Sequence, residues 1–216
     1  MANLFDINGK AYRFMEKIAD GLIVNILWVV FSLPIITAGA ATTALYYTMY
    51  KVIQNDTGHV WKEFWRAFKT NFKQATILWI IFLLIIAFLG LDCYFAYILS
   101  DANVTLKWLT AVLMFLMAIW VMWSLYWFPY ISHIDDPIKA VMKNTLIMCV
   151  SNFGKSLSLF AAFAACAAII VILPLSPVFL LVLPAVYMHF ACRMIKKVFS
   201  QYWNMEEIHN DQSAKS

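Results

Sequence analysis

Few side chains in this 216-residue sequence combine a reactive group with a position where transport or catalysis would need one. Asp92 is the most conspicuous of them, because it directly follows the uncharged tract from Ala75 to Leu91. A carboxylate near the end of an apolar segment is costly unless it reaches water or a partner, and such groups are often functional. The alternative is that Asp92 lies at headgroup level and is simply hydrated.

Two other groups of residues have types that bind ions. His189 and Arg193 stand one helical turn apart, so Arg193 is a candidate for holding an anionic group, or a snorkelling anchor beside a packed histidine. The run from His133 to Asp136 contains metal-ligand types. A turn with Asp136 as helix N-cap and Pro137 in the first turn explains that run with fewer assumptions. We therefore predict no metal site.

Polar residues also interrupt the first uncharged tract, Gly21 to Tyr50. Pro34 removes a backbone donor and disfavours helix at the preceding residue, so the tract is predicted to kink or fold back there. Broken backbone is tolerated in a membrane where it is buried in protein or lines a cavity. Asn25 and Thr37 are accordingly candidates for a binding site, with interhelical hydrogen bonding as the alternative. The small residues 38–41 favour close helix packing, and a signal-peptidase site at Ala38-Gly39-Ala40 is the alternative.

The usual enzyme motifs are missing from the sequence. There is no glycine-rich nucleotide loop, GxSxG elbow or HExxH pattern, and no paired acid and base. The four cysteines form no CxxC or Cys/His ligand spacing, which argues against a disulfide framework or a zinc site and favours packing roles; they are Cys93, Cys149, Cys166 and Cys192. We expect no enzymatic activity and no cofactor.

The composition determines the class of protein that must position these residues. Hydrophobic residues make up 63% of the chain and charged residues 13%, against about a quarter charged in soluble domains. A chain of this length cannot hide that much apolar surface in a soluble core. We predict an all-α, polytopic transmembrane helical bundle with one or two interfacial amphipathic helices. The net charge of +4 sits beside apolar segments, so anionic lipid rather than nucleic acid is the expected partner.

The segment 59–73 is predicted to be the main interfacial helix. One stripe at helical spacing is aromatic and consists of Trp61, Phe64, Trp65, Phe68 and Phe72. The opposite side is mostly basic and consists of Lys62, Glu63, Arg66, Lys69 and Lys73. Aromatic anchors under a basic face suit the headgroup boundary, so we expect this helix to lie in the interface plane before the chain enters hydrocarbon near Ala75.

The whole plan is one transmembrane domain, residues 1–200, followed by a polar tail, 201–216. Six spans are predicted near 14–33, 36–52, 75–97, 106–130, 156–173 and 178–197, with a second interfacial helix at 137–150. A turn at Pro174–Pro177 divides the last uncharged tract. Lys and Arg are dense in 51–74, 135–155 and the tail but sparse in 92–107, which predicts a cytoplasmic C-terminus and N-terminus. Five spans with an external N-terminus is the alternative.

A weak internal sequence repeat occurs in two parts of the predicted topology. Thr70-Asn71-Phe72-Lys73 precedes one span and Ser151-Asn152-Phe153-Gly154-Lys155 precedes another, so an Asn-Phe turn is expected between each interfacial helix and the next span. Internal repeats are common in transporters. The alternative is that asparagine, an aromatic and a lysine are simply a good way to enter a bilayer.

Several stretches resemble the YesL-like family of bacterial integral membrane proteins, whose function is unknown. They are Asn25–Trp28, Ser32–Gly39, Thr43–Tyr46 and Phe64–Thr76. The resemblance runs across most of the chain, although the specific motifs are confined to residues 25–76. It implies a helical bundle in the bacterial plasma membrane and an association with carbohydrate uptake and utilisation, and it supplies no catalytic or binding residues.

Two functions remain open on this basis. The first is a non-enzymatic accessory or regulatory component that contacts sugar-transport or sensor subunits, or a second copy of itself, through its helices. The second is a small secondary transporter for a sugar-related solute, for which the broken hairpin and Asp92 are the pertinent features, although few ionisable groups lie at mid-membrane. An enzyme acting on lipid-linked sugar ranks last.

Overall fold

A computed structural model describes residues 10–54, 59–99, 104–172, 186–188 and 190–199. These ranges are helical with short connections and contain no strand, which confirms the all-α prediction. The α-helices are α1 (Lys10–Ser32), α2 (Ala38–Thr48), α3 (Val60–Ile98), α4 (Val104–Ser124), α5 (Trp127–Ile131), α6 (Ile138–Ser151) and α7 (Phe153–Ile172). Residues 190–199 form a further helical stretch, here called the C-terminal segment.

Three helical stretches are long and apolar enough to cross a bilayer: Val60–Ile98, Val104–Ile131 and Phe153–Ile170. Large apolar side chains cover their outer surfaces, including Leu84, Phe88 and Phe115. Such surface is stable in hydrocarbon and costly in water. The polytopic membrane class predicted from the composition is therefore confirmed.

The chain folds back between α1 and α2, as Pro34 predicts. It leaves the helix after Ser32, bends at Leu33 and Pro34, and makes one 3-10 turn over Ile35–Thr37. The Thr37 hydroxyl lies 2.7 Å from the carbonyl oxygen of Phe31 and 2.8 Å from that of Pro34, so it is placed to satisfy groups that the end of α1 leaves open. We call α1, the bend and α2 the N-terminal hairpin.

Close contact between α2 and α3 depends on Gly39. A Cβ atom at this position would lie 2.6 Å from Trp79 Cβ and 2.8 Å from the carbonyl oxygen of Ala75. A π-helical turn over Met49–Gln54 follows α2, and in it Lys51 Nζ lies 2.9 Å from Glu63 Oε2 in an ion pair. The two helices therefore run antiparallel over residues 63–79 of α3, and the prediction that small residues serve close packing is confirmed.

The structure differs from the prediction of a turn at Asn71-Phe72. Helix α3 continues through both residues, and Asn71 Nδ2 donates to the carbonyl oxygen of Ala67 within it at 3.1 Å. Residues 60–73 are therefore the first part of a 39-residue helix rather than a separate one. At about 1.5 Å per residue this helix is about 58 Å long, well beyond the ~30 Å hydrocarbon core, so its first part extends past the core.

The aromatic stripe of residues 61–72 is divided between two environments. Phe64 and Phe68 are buried because the Phe31 ring packs on both, with centroid distances of 5.7 and 5.1 Å. These two rings therefore face protein, and the expectation that they anchor the helix at the bilayer surface is wrong. Trp61 and Trp65 remain exposed, as does Phe72, so their anchoring role stays a prediction.

Several expectations fall outside the described residues. These are the turn at 174–177, the first part of the span 178–197, His189 and the tail 201–216. A helix, α6, is present in the segment predicted as the second interfacial helix, and its interfacial position stays a prediction. The expected turn before the following span is present at Asn152, where φ is −115° and ψ is 43°. The four cysteines are free thiols, and Cys166 is the least buried of them.

Candidate functional site

The densest polar contacts in the described residues gather at the end of the bundle where α3 begins. Gln74 of α3, Tyr130 of α5, His133 and Asp136 of the α5–α6 connection and Asn144 of α6 contribute to it. We call these five residues the polar end cluster. It joins two of the lysine-rich segments, and Lys196 of the third lies nearby with its Nζ 5.3 Å from the Tyr50 ring centroid. The segments predicted to share one side of the membrane thus lie at one end of the fold.

The carboxylate of Asp136 is the centre of the cluster. Tyr130 Oη donates to Asp136 Oδ2 at 2.6 Å, and Asn144 Nδ2 donates to Tyr130 Oη at 2.8 Å and lies 3.4 Å from the same carboxylate oxygen. Gln74 Nε2 donates to the backbone carbonyl of Asp136 at 2.6 Å. Hydrogen bonds to an ionised acceptor are among the stronger ones in proteins. The arrangement ties the α5–α6 connection to α3 and α6.

Asp136 does not cap α6 as the sequence predicts. The N-cap is Pro137, with φ −64° and ψ 149°, and no side chain caps the first turn. The carboxylate turns instead to Tyr130 and Asn144, whose side-chain donors compete successfully with the first backbone N–H groups of the helix. The predicted N-cap is therefore wrong by one residue, for a reason that depends on tertiary contacts.

His133 is the member of the cluster with the most apolar surroundings. Its Nδ1 is 2.6 Å from Ser132 Oγ and 3.1 Å from the carbonyl oxygen of Pro129, while its Nε2 is buried and has no hydrogen-bond partner among the described residues. The ring packs edge-on against Tyr50 at 4.5 Å and near Phe199 at 5.9 Å. Burial lowers the pKa of the imidazole below its ordinary value of 6.5, which favours the neutral form.

The candidate residues from the sequence do not converge on one site. Asn25 is buried in α1, Thr37 and Pro34 hold the bend of the hairpin, and Arg193 is exposed on the C-terminal segment. Asp92 is partly exposed near the opposite end of α3, and no ion pair or hydrogen bond joins its carboxylate to the described residues. His189 cannot be compared with them, because it lies outside the described residues.

Sequence reasoning missed the residues that the structure does bring together. Glu63 was expected on the polar side of its helix, but it is buried and paired with Lys51. The small Ala67 one turn further on is the local signal that protein packs there. Tyr130 and Asn144 carry no such signal, since only the fold places them beside Asp136. Among the described residues no group of three or more His, Cys, Asp or Glu side chains is placed to hold a metal ion.

The polar end cluster can fix a connection and respond to charge, and the Ser132 hydroxyl beside the His133 imidazole is buried. Together with three helices suited to crossing a bilayer, it defines a polytopic helical membrane protein whose polar contacts are concentrated at one end. Residues 22–93 match the family described as "Protein of unknown function, DUF624". The matched region includes the motifs in residues 25–76 that resemble the YesL-like family.

A curated relative extends the similarity beyond the family match. The chain is 28% identical over 157 residues to "Uncharacterized protein YteU" of Bacillus subtilis (strain 168), which covers 71% of this chain and 69% of the relative. No solved structure matches the chain. The similarity therefore agrees with the family resemblance, and neither of the two descriptions gives an activity.

Proposed function

We propose that this chain is a non-enzymatic membrane component that acts by helix contact with another membrane protein. The observation that carries the proposal is an unfilled face on α7. Alanines at 161, 164, 165 and 168 recur at helical spacing and are all exposed. Lipid tails gain little by covering such a face, whereas a partner helix can approach it closely and gain van der Waals contact.

A second outer face of α7 carries an aromatic side chain instead of only alanines. Phe163 is exposed there and contacts Tyr187 of the following helical residues at a ring-centroid distance of 5.8 Å. Ala167 is exposed on this second side. A partner that needs close backbone approach would select the alanine face rather than the side with Phe163, so the two sides of one helix supply a matched comparison.

The proposed partner is a sugar-transport or sensor subunit in the bacterial plasma membrane, with both ends of this chain cytoplasmic. The carbohydrate link rests on the family resemblance. The orientation rests on the lysine-rich segments at the end of the fold that holds Gln74 and Asp136, since basic residues favour the cytoplasmic side. A second copy of this chain is the alternative occupant of the alanine face.

Co-purification from native membranes tests the proposal. Ala168→Phe fills one end of the alanine face, and Ala167→Phe makes the same change on the neighbouring side. Because a phenylalanine ring prevents close backbone approach at this face, we expect Ala168→Phe to lose the co-purifying subunit and Ala167→Phe to keep it. Equal retention by both variants would contradict the proposal, and capture of this chain alone would indicate a homo-oligomer.

A small secondary transporter is the second candidate, and the non-helical bend at Leu33–Pro34 favours it, because transporters use broken helices at their binding sites. Uptake of a sugar-related solute by the purified chain in liposomes would support it. Thr37→Val, which removes the hydroxyl that holds the bend, should then abolish uptake. If the purified chain shows no uptake in liposomes and a partner subunit co-purifies with it from native membranes, the first candidate is favoured.

A further inference from the structure

The N-terminal hairpin can be placed along α3 by its contacts. At its tip, Trp79 Nε1 donates to the carbonyl oxygen of Ile35 at 2.6 Å. Gly39 packs on Trp79 and on Ala75, and just beyond the end of α2 Lys51 pairs with Glu63. From its tip onward α2 therefore runs back along α3 toward the start of that helix.

The end of α1 lies beside the same part of α3. The Phe31 ring is 5.7, 5.5 and 5.1 Å from the rings of Phe64, Trp65 and Phe68. In addition, Trp28 Nε1 donates to Thr42 Oγ1 of α2 at 3.1 Å. Both arms of the hairpin are thus held together against residues 63–79, which include the charged part of α3.

The depth of the hairpin follows from the helix that it contacts. Charges on α3 stop at Lys73 and resume at Asp92, so the hydrocarbon boundary on this side lies near Ala75. Trp79 is only four residues further on, about 6 Å at 1.5 Å per residue. A hairpin that crossed the ~30 Å core beside α3 would place its tip near Asp92 instead.

The tip has the surface of a segment immersed in acyl chains. Leu33, Ile35 and Ile36 are 75%, 68% and 60% exposed, and the chain carries no charge from Gly21 to Tyr50. Ile77 and Ile80 of α3 are exposed at the same level as the tip. The backbone carbonyls at the bend also have donors, from Thr37 and Trp79, as non-helical backbone in hydrocarbon requires.

We propose that the N-terminal hairpin is a re-entrant anchor. It enters the bilayer from the end that carries the polar end cluster, buries Leu33, Ile35 and Ile36 among the acyl chains of the nearer leaflet, and returns without reaching the far side. Residues 14–52 then contribute no crossing, in place of the two spans predicted from the sequence. The inference does not rest on the proposed function, since it concerns only how the chain sits in lipid.

Thiol accessibility of Ile36→Cys distinguishes a shallow tip from a crossing one. Right-side-out and inside-out vesicles are treated with a membrane-impermeant maleimide, with the unsubstituted chain as background. Leu99→Cys marks the side reached by the far end of α3, and Lys62→Cys marks the opposite side. We expect the maleimide to leave Ile36→Cys unlabelled when it is applied from the side on which it labels Leu99→Cys. Labelling from that side would overturn the proposal.

Depth-dependent quenching supplies the second measurement. A bimane on Ile36→Cys, or on Leu33→Cys where the first variant does not reach the membrane, is reconstituted with lipids that carry a nitroxide near the headgroup or near the bilayer midplane. We expect stronger quenching by the nitroxide near the headgroup. Equal or stronger quenching by the midplane nitroxide would overturn the proposal, as would a tip fully quenched by an aqueous quencher, which would show that it lies in water.

Discussion

Two junctions with nearly the same sequence have opposite structures in this molecule. Thr70-Asn71-Phe72-Lys73 is continuous helix in the middle of α3, whereas Ser151-Asn152-Phe153 contains a break between α6 and α7. Both precede a long apolar segment and both contain asparagine followed by phenylalanine. The difference must therefore come from residues outside the shared motif.

The first junction is supported from both sides. Phe68 packs under Phe31 on one side, and Ala75 lies against Gly39 on the other, so α1 and α2 bracket Asn71. The side chain of Asn71 donates to the carbonyl oxygen of Ala67, a bond that is compatible with helix. Tertiary packing commonly overrides the weak helix propensity of a single asparagine.

At the second junction, nearby residues account for the break in the helix. Gly154 lowers helix propensity just after the turn, and the buried Ser156 hydroxyl donates to the carbonyl oxygen of Cys149 at 2.8 Å. Ser156 Oγ is also 2.8 Å from Tyr126 Oη of the α4–α5 connection. The carbonyl group left open at the end of α6 therefore has a partner, and the break is fixed to a neighbouring element.

The largest effect is expected from Gly39→Ala. The added Cβ meets Trp79 Cβ and a backbone oxygen at distances that real Cβ atoms do not adopt, so the helices must separate at a cost of about 1–3 kcal/mol. Thermal unfolding in detergent should show the loss, and amide exchange around residues 68–75 should increase. Gly90→Ala is the matched control, because nothing lies within 4 Å of its Cβ and alanine favours helix. Equal effects of the two substitutions would contradict the role assigned to α2.

Ser156→Ala should have the next largest effect. It removes the buried hydrogen bonds of the Ser156 hydroxyl with Cys149 and with Tyr126, at about 0.5–1.5 kcal/mol each. Ser158→Ala, at a half-buried position one half-turn away, is the control and should change the unfolding temperature little. A thermal unfolding scan of both variants checks the difference. Unchanged stability of Ser156→Ala would mean that the break does not depend on this hydroxyl.

Acidification should destabilise the polar end cluster, in which Gln74 and Asp136 join α3, the helix of the first junction, to the start of α6. The pKa of His133 is lowered in the folded state, so the unfolded chain binds more protons below the ordinary value of 6.5, and stability falls as the pH drops through that range. The groups facing His133 are Ser132, Tyr50 and Phe199, with Lys196 above Tyr50 and Asp135 and Asp136 on its own connection.

Unfolding temperatures at about pH 7.5 and about pH 5.5 measure this effect. His133→Asn cannot gain the charge, so its unfolding temperature should fall less between the two pH values than that of the unsubstituted protein. A matched control is His59→Asn, because His59 is exposed at the start of α3. The same fall in all three proteins would assign the pH dependence to other groups.

The sequence predicts the parts of this fold that depend on local chemistry. Pro34 marks the fold-back, the small residues after it mark close packing, and the uncharged tracts mark the helices that can cross a bilayer. Periodicity cannot tell whether an aromatic stripe meets lipid or protein, so the burial of Phe64 and Phe68 was not predicted. The Tyr130–Asp136–Asn144 contacts were missed because the acidic residue and its two donors converge only in the folded chain.

The smallest expected effect is also the sharpest test of the comparison between the junctions. If packing by α1 and α2 keeps the first junction helical, its asparagine contributes little, and Asn71→Ala should change stability by no more than about 0.5 kcal/mol.

Asn152→Ala should lower the free energy of unfolding by more, because Lys155 Nζ donates to the Asn152 side chain at 3.1 Å within a turn that asparagine adopts more readily than alanine. In the double variant Gly39→Ala with Asn71→Ala, the loss of unfolding free energy should then exceed the sum of the two single losses. The reason is that the local helix propensity at residue 71 affects stability once the packing of α2 is loosened. Additive unfolding free energies would show instead that each junction is decided by its own residues.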